Sequence, residues 1–79
     1  PQQLTSVPVS DGRPLEDPRV KKAIQDGEAR LADAGRLLIR PSGTEPVVRI
    51  MAEGEDESLI ASVVGNVVEA IEYAESRAI

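Results

Sequence analysis

Arg40, Ser42, Gly43, Thr44 and Arg49 are the residues of this chain whose types and spacing suit them to chemistry. Most of them fall within the run Arg40-Pro41-Ser42-Gly43-Thr44-Glu45-Pro46, and Arg49 follows shortly after. The set is rich in hydrogen-bond donors and positive charge. An arginine guanidinium offers a planar, two-pronged set of N–H groups that matches an oxyanion. The hydroxyls of Ser42 and Thr44 add donors, and Gly43, without a Cβ and tolerant of unusual φ and ψ, lets backbone amides come close to a ligand. Successive amides in such a loop form an anion-binding concavity. Pro41 and Pro46 stiffen both flanks and reduce the entropy lost when the loop orders. The ligand that matches is a phosphate group on a small molecule, nearly a dianion at neutral pH with acceptor-only oxygens. With roughly 1.5–3 kcal/mol per charged hydrogen bond, about three or four incompletely desolvated bonds give micromolar to millimolar binding.

Each residue also has a plainer reading. Pro-Ser-Gly-Thr is ordinary turn composition. An arginine at a strand end is commonly solvated or salt-bridged. Arg49 has Glu53 two positions along its own strand face as a partner. Glu45 is either a solvated turn carboxylate or a contact to a hydroxyl or ammonium of a substrate, which makes it a candidate sugar contact. The concentration of Arg40, Ser42, Gly43 and Thr44 in one short loop is what favours the binding reading. No catalytic residue and no metal site are expected. The chain has no histidine and no cysteine, so the commonest general base and the thiolate ligands are missing. It has no P-loop pattern, no nucleophile with a histidine partner and no clustered Asp-x-Asp loop. Glu55-Asp56-Glu57 reads as a solvated helix entry, because adjacent carboxylates do not converge on one ion unaided. The chain can hold a phosphate; nothing in it looks able to move one.

The rest of the sequence reads as the scaffold for that loop. At 79 residues it is one small domain, which buries only about 60% of the surface its unfolded form exposes. Its apolar content of 41% supports a modest core, aliphatic because Tyr73 is the only aromatic. The net charge of −5 and the missing aromatic platform argue against a nucleic-acid partner. No apolar run approaches the roughly 18 residues of a membrane span. The chain opens on Pro1, and it reads as a fragment of a longer protein.

Leu4 to Val9 alternates weakly, with Thr5, Val7 and Val9 on one side, and Pro8 assigns it to a sheet edge. A turn cluster, residues 10–14, follows. Asp17 as N-cap and Pro18 at the first helical position start a helix that runs to about Ala32, with Val20, Ile24 and Leu31 as its apolar stripe. Gly27 weakens this helix by roughly 1 kcal/mol, and Gly35 is read as its stop. Two strands come next, Arg36 to Arg40 and Val47 to Glu53. Period-two alternation puts Leu37, Ile39, Val48, Ile50 and Ala52 on an aliphatic face, and Arg36, Leu38, Arg40, Arg49 and Met51 on the other. The short loop 41–46 makes the pair antiparallel. After Gly54, the acidic residues 55–57 complement the dipole of a long helix whose stripe is Leu59, Ile60, Val63, Val64, Val67, Val68 and Ile71. Gly65, in mid-helix, is read as a point of close approach to the sheet. The order β-α-β-β-α predicts an α+β, two-layer sandwich, with two helices on one face of a small, mostly antiparallel sheet.

The stretch from Gly35 to Gly54, with the motif Arg40-Pro41-Ser42-Gly43-Thr44-Glu45-Pro46 at its centre, resembles the C-terminal domain of the α-D-phosphohexomutases, nearest the bacterial phosphoglucosamine mutase branch. The resemblance extends over nearly the whole chain. It is specific to the superfamily and less so to substrate, since phosphomannomutases and phosphoglucomutases carry similar loops. It implies the fourth domain of a four-domain cytoplasmic isomerase that interconverts glucosamine 6-phosphate and glucosamine 1-phosphate on the route to UDP-N-acetylglucosamine. In such an enzyme a phosphoserine of the first domain and magnesium held by the second carry the chemistry, so the fragment itself holds no cofactor and is inactive alone. Its partners are the phosphosugar and the other domains of the same chain. The resemblance makes Arg40, Ser42, Gly43 and Thr44 the loop that grips the non-reacting phosphate, and Arg49 a second cationic contact. A freestanding small-molecule sensor and a protein-interaction module with a plain turn remain the other readings of this topology.

Overall fold

The computed structural model describes residues 2–10 and 13–76. Its elements are β1 (Gln2–Pro8), α1 (Pro18–Leu31), β2 (Gly35–Pro41), β3 (Val47–Gly54) and α2 (Glu57–Ser76), with 3-10 turns at Arg13–Glu16 and Ala32–Ala34. The expected β-α-β-β-α order is found. Asp11 and Gly12 of the expected turn cluster lie outside the described residues.

Helix α1 begins as its sequence dictates: Asp17 Oδ1 accepts from the Arg19 amide at 2.8 Å, with Pro18 first in the helix. It ends at Leu31 with Ala32 as the cap residue, where the sequence put its end. Ala32, at φ 45° and ψ −127°, donates its amide to the Glu28 carbonyl and closes the last turn. Gly35 is therefore not the stop. It opens β2 directly opposite Gly54, and a Cβ there would run into the Glu53 carbonyl oxygen. Helix α2 has a cap that the acidic run concealed. Asp56 Oδ1 accepts from the Leu59 amide at 3.1 Å, and its carbonyl from the Ile60 amide at 3.0 Å.

The sheet order is β1-β3-β2, and both pairings are antiparallel. The β1-α1-β2 connection thus skips one position, into which β3 inserts as the central strand. Pro8 does lie on an edge strand. Alternation sorts the faces as expected: Val7, Leu37, Val48, Ile50 and Ala52 are buried beneath Val20 and Leu31 of α1 and Ile60, Val63, Val64, Val67, Ile71 and Ala74 of α2. Each buried valine, leucine or isoleucine among them contributes about 1.5–3 kcal/mol on burial.

Two glycines exchange the roles expected of them. Gly27 is buried where an added Cβ would lie 2.8 Å from Val63 Cγ1 and 3.1 Å from Leu37 Cδ2, so it lets α1 close onto α2 and the sheet. Gly65 is exposed, and a Cβ there would meet nothing within 4 Å. Among the described residues no helix is long and apolar enough to cross a membrane.

Candidate functional site

The face of the sheet turned away from the helices carries three rows across the strands. Register aligns Gln2, Glu53 and Arg36, then Leu4, Met51 and Leu38, then Ser6, Arg49 and Arg40. The arginine row lies nearest the tip of the β2–β3 hairpin. Directly opposed residues on neighbouring strands have Cβ atoms roughly 4.5–5.5 Å apart. Two guanidinium side chains therefore spring from adjacent positions, and like charges so placed weaken a sheet.

Little among the described residues compensates them. Arg40 is exposed and makes no hydrogen bond or ion pair among the described residues. Arg49 Nη2 reaches Glu45 Oε1 at 3.5 Å, in a pair whose side chains are 58% and 62% exposed, and contacts of that kind contribute about 0–1 kcal/mol. Glu53, the partner that the plainer reading of Arg49 offered, is engaged elsewhere: Arg36 Nε donates to Glu53 Oε1 at 2.8 Å. The reason is register, since Arg36 stands directly across from Glu53 on the next strand. The row farthest from the tip is neutralised and the row beside it is not. Arg40, Arg49 and Ser6, with Leu4, Leu38 and Met51, border a shallow depression of about 260 Å³.

The tip is held at both ends. The Ser42 amide donates to the Val47 carbonyl at 2.9 Å, carrying the β2–β3 ladder one residue past Pro41. The Val47 amide donates to the Glu45 carbonyl at 2.8 Å, a γ-turn centred on Pro46, whose ring presets φ. The Pro46 carbonyl accepts from the Val9 amide at 2.8 Å, so the segment leaving β1 holds the loop from the far side.

Inside this frame Ser42 Oγ accepts from the Thr44 amide at 3.4 Å and the Glu45 amide at 3.2 Å. Two backbone N–H groups thus converge on one oxygen. Such a turn is a common device of serine, and at these lengths the bonds are weak. The Ser42 amide, by contrast, is committed to the ladder. The Gly43 amide makes no hydrogen bond among the described residues. The expected conformational reason for glycine at position 43 is not found: its φ is not positive, and an added Cβ would meet nothing within 4 Å. Neither the local backbone nor packing within the chain requires a glycine there.

Arg40 and Arg49 are thus brought side by side by pairing, while Ser42, Gly43, Thr44 and Glu45 form the tip beyond them. Ser6 is the site residue that the sequence did not flag. Alternation put it on the arginine-bearing face, but only the β1–β3 register sets it beside Arg49. Among the described residues no three His, Cys, Asp or Glu side chains are placed to hold a metal ion.

Comparison with known proteins bears on what the site belongs to. Residues 4–70 match the family described as phosphoglucomutase/phosphomannomutase, C-terminal domain. A phosphoglucosamine mutase of Mesorhizobium japonicum is 53% identical over 78 residues, covering 99% of this chain and 17% of the relative. One from Azorhizobium caulinodans is 58% identical over 71 residues, covering 90% of this chain and 16% of the relative. Among solved structures, the N-acetylphosphoglucosamine mutase of Aspergillus fumigatus, in complex with GlcNAc-6P and magnesium, superposes with a TM-score of 0.72 at 26% identity over 95% of this chain and 16% of that one. The chain thus spans about a sixth of the length of the curated relatives it matches. A match over most of its length establishes that this chain belongs to the phosphoglucomutase/phosphomannomutase C-terminal domain family.

Proposed function

We propose that this chain is the phosphate-gripping fourth domain of a phosphoglucosamine mutase, an isomerase that interconverts glucosamine 6-phosphate and glucosamine 1-phosphate in the cytoplasm. Arg40 and Arg49 supply the charge, and the amides of Gly43 and Thr44 with the hydroxyls of Ser42 and Thr44 supply the remaining donors. Glu45, released from Arg49 when a phosphate takes that guanidinium, is free to meet a sugar hydroxyl or ammonium. The observation that carries the reading is the opposed Arg40–Arg49 pair, left under-neutralised beside a tip whose amides point at a common oxygen.

A phosphate anchor suits a reaction in which the sugar presents either of two phosphorylated ends, because it is indifferent to the carbon that bears the group. The domain then acts by binding and by covering the reacting groups against water. The reacting phosphoserine and the magnesium belong to the preceding domains of the longer protein, so the domain alone is inactive. The relatives' greater length supports this, as does the apolar row Leu4–Met51–Leu38, exposed at both leucines, as a surface for neighbouring domains of the same chain.

Competition tests the reading. Glucosamine 6-phosphate and inorganic phosphate are expected to bind this chain with affinities within about tenfold of each other and to displace one another, because charged hydrogen bonds to the phosphate supply most of the energy. Glucosamine without a phosphate is expected not to bind. Titration calorimetry decides: glucosamine binding as well as its phosphate ester does would sink the reading.

A further inference from the structure

We infer that Glu75, near the end of α2, is a positioning residue for the hairpin tip, acting through Ser10 and Val9 on the Pro46 carbonyl; its link to ligand binding rests on the phosphate reading above. Glu75 lies beyond β3 and most of α2 from the tip and 65 residues from Ser10, yet hydrogen bonds connect them. Glu75 Oε1 accepts from the Ser10 amide at 2.7 Å, and its Oε2 from the Ser10 hydroxyl at 3.5 Å. The neighbouring Val9 amide donates to the Pro46 carbonyl at 2.8 Å. The first contact is short, and an ionised acceptor strengthens it.

This strap has few substitutes. The β1–β3 ladder stops at Pro8 opposite Val47, and Pro8 has no N–H with which to extend it. Pro46 has no N–H either, so its carbonyl is its one backbone handle. Val9 and Ala74 are both buried in the core, which brings the two segments together, but burial of a side chain does not fix where the Val9 amide points. The carboxylate of Glu75 does, by holding the adjacent Ser10 amide. With Val9 aimed at Pro46, the γ-turn that presents the amides of residues 43–45 is held from outside the hairpin.

Glu75→Ala and Glu75→Gln test the assignment by amide hydrogen exchange on the full 79-residue chain. In Glu75→Ala, exchange at Val9 and Val47 is expected to accelerate about tenfold through local opening, with Ile50 and Val63 in the core unchanged. Glu75→Gln, which keeps an acceptor, is expected to restore most of the protection at both amides. Acceleration of all four amides together would mean a general loss of stability and would overturn the assignment, as would no change at Val9 and Val47. Phosphate titration of the same proteins separates the two ideas. Binding weakened about three- to tenfold in Glu75→Ala, as expected for loosening a pre-organised loop, supports both. No phosphate binding by the unaltered chain would remove the phosphate reading and leave the exchange result to decide the role of Glu75.

Discussion

Replacing Arg40 with alanine is expected to weaken inorganic phosphate binding by about 10- to 100-fold, the size of losing one charge-assisted contact of roughly 1.5–3 kcal/mol. The same change is expected to leave the fold as stable as before, or slightly more so. Arg40 is exposed, has no partner among the described residues and faces Arg49 across the β2–β3 ladder. Removing it relieves a like-charge opposition, and surface changes of this kind stay within about 0.5 kcal/mol. Titration calorimetry and thermal denaturation on one preparation give both numbers. A melting temperature that falls with the affinity would mean that Arg40 holds the sheet together and that its effect on binding is secondary. Arg40→Lys is expected to recover only part of the affinity, because an ammonium keeps the charge but not the planar fork.

The second large effect is on stability. Gly35→Ala is expected to cost about 3 kcal/mol, the upper part of the range for forcing atoms into an occupied site. A domain of this length has roughly 4–12 kcal/mol in total, and each kcal/mol moves the melting temperature by about 4–8 °C. The new Cβ would be driven into the Glu53 carbonyl oxygen, a backbone atom of the central strand that cannot swing aside. Relief would require β2 and β3 to separate where Gly35 faces Gly54, and a Cβ on Gly54 would in turn lie 2.8 Å from the Ala34 carbonyl oxygen. Thermal unfolding followed by circular dichroism checks this. A shift of only a degree or two would mean that the strands are not so closely apposed at this point.

The glycines show where reading a sequence runs out. Local signals located the strands, both helices and the Asp17-Pro18 cap, because alternation, three- and four-residue spacing and capping chemistry are properties of neighbouring residues. Gly35, Gly27 and Gly65 were assigned roles from local position alone, as stop, weak point and close approach. What decides each is what the fold sets beside it: Glu53 for Gly35, Val63 for Gly27 and open space for Gly65. The site divides in the same way. The tip was legible because its chemistry lies in consecutive residues. The facing of Arg40 and Arg49 and the presence of Ser6 depend on strand order and register, which β1-β3-β2 fixes only in three dimensions. For the same reason the plainer reading of Arg49 pairs it with Glu53, four residues along its strand, when pairing gives Glu53 to Arg36. Asp56 was read as one of three helix-entry charges, and only geometry separates the capping carboxylate from its neighbours.

The central claim is that the hairpin tip and the arginine row close on a single phosphate. It is tested most directly by following every backbone amide resonance, and the arginine Nε–H signals, as inorganic phosphate is added to the chain. The account predicts saturable shifts at Gly43, Thr44 and Glu45 and at the Nε–H groups of Arg40 and Arg49, all fitting one binding constant, with α1 and α2 unmoved. Saturable shifts that leave residues 43–45 still and cluster instead on the helices, or no saturable shift anywhere, would contradict it.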